Sequence, residues 1–191
     1  DQALTLTGVG PGKPVIDFTG AVAGKATAID VASEDVTIDG IQFDIDMSVL
    51  SSAIVASGPT SGLTVINNMI NPSRSAGYAE GYGLRNAISI NYADYRVNGS
   101  IPLVTVSDNM ITYNDNSTPG DPADDAGFRS GVSMDEGAGL FEGNDITSIN
   151  HDILSRFNGA GDLTIQNNNI FRGGGVQVSS HNAGAGAILI D

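Results

Sequence analysis

A chain of 191 residues is long enough for one domain with a real core. Hydrophobic residues at 40% and charged residues at 16% exclude a disordered tail, and 22 acidic against 8 basic residues, a formal charge of −14, exclude a surface built for nucleic acid or anionic membranes. Cysteine is absent, which excludes a disulfide framework and thiol chemistry, and no apolar run reaches the length of a membrane-spanning helix.

The chain begins at Asp1 in what reads as the middle of a strand, and LTLTGVGPGKPVID follows from Leu4 to Asp17. From there two kinds of short stretch alternate. The first kind is AIDV at Ala28, AIVA at Ala53, AISI at Ala87, GVSM at Gly131, DILS at Asp152 and GVQV at Gly175. In each, the second and fourth positions are apolar or small and the third is mostly polar, the period of a strand with one buried face. The second kind is VTIDGIQF from Val36, LTVINNMI from Leu63, VTVSDNMI from Val104, GLFEGNDI from Gly139 and LTIQNNNI from Leu163. Each is an alternating strand, a polar corner and a further apolar position. The closing AILID, Ala187 to Asp191, reads as the opening of another copy.

The corner gives the register. Ile41, Asn68, Asn109, Asn144 and Asn168 recur at spacings of 27, 41, 35 and 24 residues. The shorter values fit one coil of a solenoid, and the longer ones fit the same coil carrying insertions. Three interior columns follow. One holds Ile29, Ile54, Ile88, Val132, Ile153 and Val176, the next Ile38, Val65, Val106, Phe141 and Ile165, and the third Ile70, Ile111, Ile146 and Ile170. Three columns imply three sheets. No segment carries a sustained 3.6-residue apolar period, so essentially no helix is expected.

The pattern AI-V…LTI-NN-I resembles the parallel β-helix repeat of pectate-lyase-like proteins and of periplasmic NosD-type proteins. The likeness runs over nearly the whole chain. It implies an all-β, right-handed three-sheet parallel β-helix of about six to seven coils, a single domain over residues 1–191. Both ends read as unfinished coils, so the chain is expected to be a fragment of a longer secreted or cell-surface bacterial protein, with end-to-end stacking of chains the alternative. The same fold hosts lyases, hydrolases, epimerases and adhesins, so it implies no one activity. The motifs that its enzymes carry are missing. There is no GHG motif, the WxDH motif cannot occur without Trp, no DPHD-type motif is present, and ADDAG at Ala123 supplies only a DD.

The asparagines at the corner suit a ladder of stacked amides, with left-handed backbone at the turn. Ile41 interrupts the column, so the ladder is expected to start at the third coil. Asn67, Asp108, Gly143 and Asn167 stand beside it. Thr37, Thr64, Thr105 and Thr164 form an outward column that Leu140 interrupts, which β-branched strand preference explains.

Three insertions, at 71–86, 91–102 and 114–130, break the rhythm. The first and third leave from one corner and return to one sheet, so they are expected to wall its outer face, where function on a rigid scaffold commonly sits. Tyr78, Tyr82, Tyr92, Tyr95 and Tyr113 lie in or beside the insertions. Their rings have the chemistry to stack on sugar faces, or else pin the loops. Arg85 and Arg129 each stand two residues before the strand triplet that follows, near Asp135 and Glu136 of the next corner. In lyases of the resembling family an Arg or Lys takes the proton beside a carboxylate, which implies Arg85 and Arg129 as base or clamp with Asp135 or Glu136 assisting. Charge pairing on an acidic surface is the plainer reading. His151 and His181 are too far apart in the chain to suggest a constellation, and His151 precedes a strand on the side of Arg156. Asp115, Asp121, Asp124 and Asp125 offer oxygens for Ca²⁺ without EF-hand spacing, with Asp44 and Asp46 a weaker pair. No other cofactor is implied.

Two functions stay open. One is a non-catalytic scaffold or binding module that contacts polysaccharide, joined to flanking domains or to other copies through its open solenoid ends. The other is a polysaccharide-active lyase, epimerase or hydrolase, its groove walled by 71–86 and 114–130.

Overall fold

The structure is a computed structural model that describes residues 3–19, 27–57, 61–73, 86–91, 103–114, 126–135, 137–149, 151–157, 161–180 and 186–191. Nineteen strands and no helix occur among them. The chain winds through three strands per coil. The first coil is β1 (Leu4–Thr7), β2 (Val15–Phe18) and β3 (Thr27–Val31), and the second is β4 (Val36–Asp39), β5 (Gln42–Asp46) and β6 (Ser52–Ser57). The third is β7 (Leu63–Ile66), β8 (Met69–Ser73) and β9 (Asn86–Asn91), and the fourth is β10 (Leu103–Ser107), β11 (Met110–Ile111) and β12 (Ser130–Asp135). The fifth is β13 (Ala138–Glu142), β14 (Asp145–Thr147) and β15 (His151–Phe157), and the sixth is β16 (Leu163–Gln166), β17 (Asn169–Phe171) and β18 (Val176–Ser180). β19 (Ile188–Ile190) adds a strand to the first sheet.

Each strand pairs in parallel with its equivalent one coil away, giving sheets of seven, six and six strands in the order of a three-sheet parallel β-helix. The expected columns are in register. Ile29, Ile54, Ile88, Val132, Ile153 and Val176 are successive partners in the third sheet. Ile38, Val65, Val106, Phe141 and Ile165 are partners in the first. Ile70, Ile111, Ile146 and Ile170 are partners in the second, which Phe43 and Ile16 extend towards the first coil. The three columns meet in one apolar core in which Phe43, Phe141, Ile54 and Ile88 are fully buried. Removing a buried Leu or Ile side chain to Ala typically costs about 2–5 kcal/mol, so the columns alone give the coils strong mutual attachment.

The ladder runs through that core. The Nδ2 of Asn68 donates to Oδ1 of Asn109 at 3.0 Å, that of Asn109 to Asn144 at 3.0 Å and that of Asn144 to Asn168 at 2.9 Å. Asn68, Asn109 and Asn144 are each 1% exposed, so their amides must be paired within the protein. The ladder starts at the third coil, and the Ile41 N–H of the second donates into it at Asn68 Oδ1.

One detail differs from expectation. The left-handed residue is not the ladder asparagine but the one before it. φ is 70° at Gly40, 55° at Asn67, 54° at Asp108, 65° at Gly143 and 55° at Asn167. The chain therefore turns at the first position of each corner, where Gly, Asn and Asp cost least. That turn frees the second position to point its amide inward.

Candidate functional site

The outer face of the third sheet carries a groove of about 410 Å³. Side chains from β9, β12, β15 and β18 line it, because the residues between the buried positions of each strand point outward. Register sorts them into rows along the solenoid axis. Ser89, Ser133, Leu154 and Gln177 form the middle row. Asn91, Asp135 and Ser179 belong to the row at the downstream end, in register with Arg156 of β15. Asn86, Ser130 and His151 are partners at the upstream end. Arg129 sits there too, its carbonyl accepting the His151 N–H at 3.1 Å.

This geometry separates two of the candidate catalytic residues. Arg129 and Asp135 both line the groove, but five residues of extended chain lie between them, so their Cα atoms stand about 20 Å apart at the usual strand rise. They stand at opposite ends of one slot, out of reach of a shared bond to one atom. His151 is the neighbour of Arg129, and its imidazole brings two ring nitrogens for hydrogen bonding. Arg85 and Glu136 lie outside the described residues.

Tyr113 has a definite setting. The Arg172 guanidinium lies over its ring, 3.9 Å from the centroid. A Cβ at Gly127 would stand 2.4 Å from the same ring, so that residue must be bare for the ring to lie where it does. Asn114 and Ala126 exchange two backbone hydrogen bonds of 2.8 Å, and Phe128 is fully buried. The base of the third insertion is thus fastened to the scaffold by a bridge, a buried ring and a cation over an aromatic face. Tyr78, Tyr82, Tyr92 and Tyr95 lie outside the described residues.

Asp115, Asp121, Asp124 and Asp125 also lie outside them. Among the described residues no group of three or more His, Cys, Asp or Glu side chains is gathered closely enough to hold a metal ion. Asp44 accepts from Gln42 at 3.0 Å and from Asn71 at 2.9 Å, while Asp46 is buried and accepts from the N–H and hydroxyl of Ser48 in a turn.

The groove contains residues that the sequence reading did not single out. Leu154, Gln177 and Ser179 follow from the period of two once the sheet is known to be open on that side. His151 had a positional signal, standing one residue before its buried run. The wall therefore offers hydroxyls and amides that both donate and accept, the aliphatic side chain of Leu154, a guanidinium at Arg129 and a carboxylate at Asp135. Such a slot suits an extended, hydroxyl-rich ligand lying against rigid strands. Comparison with models of protein families, with curated proteins and with solved structures finds no match for this chain.

Proposed function

We propose that this chain is a non-catalytic β-helix module of a secreted or cell-surface bacterial protein and that the groove on its third sheet binds a stretch of polysaccharide. The observation that carries the reading is the composition of the groove wall. Ser89 and Asn91 come from the third coil, Ser133 from the fourth and Gln177 and Ser179 from the sixth, with Leu154 of the fifth between them, on strands about 4.8 Å apart. Sugar hydroxyls donate and accept, as do these amides and hydroxyls, and the wall is rigid, so little side-chain ordering opposes binding. The finer likeness to pectate-lyase-like and NosD-type proteins supports the same ligand class.

The test is affinity electrophoresis through gels containing neutral and acidic polysaccharides, with the native chain beside Ser133→Trp, which fills the groove from its centre. Retardation by at least one polymer is expected, with loss of retardation in the variant at an unchanged melting temperature. Free migration through every polymer would sink the reading.

The neighbouring placement of Arg129 and His151 favours a second reading, a polysaccharide lyase in which Arg129 takes the proton beside a uronate carboxylate and His151 steadies the developing charge. Incubation with polyuronates separates the two. A product absorbing through a new carbon–carbon double bond, lost in Arg129→Ala, would establish the lyase and remove the non-catalytic module.

A further inference from the structure

Asp152 is the one charged residue type in a row of small ones. Its equivalents in the neighbouring strand triplets are Ala87, Gly131 and Gly175. Its side chain points away from the groove and is fully buried. Gly173 closes over the carboxyl, where a Cβ would stand 2.3 Å from Oδ2 and 2.6 Å from Oδ1. The space for this carboxyl exists because that neighbour lacks a side chain.

Two donors hold it. The Ser148 hydroxyl donates to Oδ1 at 2.9 Å, and the Gly175 N–H donates to Oδ2 at 3.1 Å. The Asp152 N–H donates back to the Gly175 carbonyl at 3.0 Å. Gly175 leads directly into β18, which places Gln177 and Ser179 in the groove. Asp152 therefore fastens the last groove strand to the one before it.

The hydrogen-bond partners of this carboxyl among the described residues are neutral. The turn after β14 presents Ser148, and the turn before β18 presents Gly173 and Gly175. The nearest ionisable neighbours along these segments point elsewhere. His151 lines the outer groove, and Arg172 lies over Tyr113. Burial raises the affinity of the carboxyl for its proton above the usual carboxylate value, and the bonds from Ser148 and from backbone N–H groups oppose that rise without cancelling it. The protonated form keeps both contacts. One oxygen still accepts from Gly175, and the new O–H donates to the Ser148 oxygen, which also accepts.

We infer that Asp152 is a proton-controlled clamp that holds the sixth coil, and with it the β18 edge of the groove, more tightly in acid than at neutral pH. The direction follows from linkage. The folded chain binds the proton more strongly than the unfolded chain, whose Asp titrates near 3.8, so stability falls as pH rises through the interval above that value and stays lost beyond the folded value.

Amide hydrogen exchange on the whole chain tests it, read as protection of Gly175 to Val178 relative to the β9 amides between about pH 4 and about pH 8, where one unit of displacement corresponds to about tenfold. Protection of β18 is expected to fall severalfold with rising pH in the native chain. It should stay level in Asp152→Asn, whose amide oxygen accepts from Gly175 while its nitrogen donates to Ser148. Equal pH profiles in the two proteins would overturn the clamp. If Asp152→Asn does not fold, the carboxyl carbon of Asp152 is titrated by NMR in the native chain, and a midpoint at or below the ordinary Asp value overturns it.

Discussion

The Asn144 Oδ1 accepts two hydrogen bonds from Asn109, one from its Nδ2 at 3.0 Å and one from its backbone N–H at 3.1 Å. Asn109 in turn accepts the same two bonds from Asn68. Its other amide hydrogen reaches the carbonyls of Val65 and Ser107, both at 2.9 Å. Every polar atom of the amide is thus used, and every dipole along the row points the same way. A buried amide contributes stability only when its capacity is met, and here each coil completes the one before it.

Replacing Asn109 with Ala should therefore cost more than one hydrogen bond. The N–H and Nδ2 of Asn68 lose their shared acceptor, and Asn144 loses its amide donor, all in the dry interior. With each stranded buried group costing about 1–3 kcal/mol, a loss of at least about 3 kcal/mol is expected in urea unfolding. An effect below about 1 kcal/mol would mean that water or a side-chain shift repairs the gap.

The two positions of the corner should respond in opposite ways. Asn67 holds φ at 55° and is exposed, so Asn67→Gly should stay within about 0.5 kcal/mol of the native chain, while Asn67→Val should cost about 1–2 kcal/mol. Asn68→Gly should cost several times more than Asn67→Gly, because it removes the ladder amide. Equal sensitivity of the two sites would contradict the division of labour between turn and ladder.

That division also marks how far the sequence could be read. The three columns were legible because each coil repeats the same alternation, and register is fixed once one face is buried. The ladder was legible because Asn recurs where Ile or Val would otherwise be expected. The turn was displaced by one residue because Asn67 and Asn68, and Asn167 and Asn168, are identical neighbours. Gly40 and Gly143 at the first position of the corner carried the signal, since Gly recurs where φ is positive. The groove was legible as a sheet but not as a set of residues. Its sheet follows from where the insertions return, whereas its lining depends on which outward side chains stay uncovered. Asp152 was hidden in DILS, which reads as an ordinary strand. Only its alignment with Ala87, Gly131 and Gly175 shows a carboxyl in a column of small residues.

Ser155 offers a test in the opposite sense. It occupies an interior position between Met134 and Val178 in the third sheet, it is fully buried, and its hydroxyl has no hydrogen-bond partner among the described residues. An unpaired buried hydroxyl costs about 1–3 kcal/mol by mutational measures, so Ser155→Ala should leave the chain as stable or more stable by about 1 kcal/mol. A clear loss of stability in thermal unfolding would reveal a partner for the hydroxyl, an internal water being the simplest.

Arg172 combines two opposing contributions. Its φ of 67° is unfavourable for a residue with a side chain, and its guanidinium over Tyr113 is favourable. Arg172→Ala retains the strain and loses the cation, so it should cost about 1 kcal/mol. Arg172→Gly loses the cation but relaxes the backbone, so it should lie close to the native chain and above Arg172→Ala by about 1 kcal/mol. A double-mutant cycle with Tyr113→Leu isolates the ring contact, with a coupling of about 0.5–1 kcal/mol expected for an exposed pair. The same cycle reads out the loop base. If the stack fastens the third insertion, proteolytic cleavage within 115–125 should be faster in Tyr113→Leu and in Arg172→Gly, and no faster still when both are changed. Cleavage rates that simply multiply in the double variant would show that the two residues act separately, and the fastening would then rest on the Asn114–Ala126 bridge and Phe128 alone.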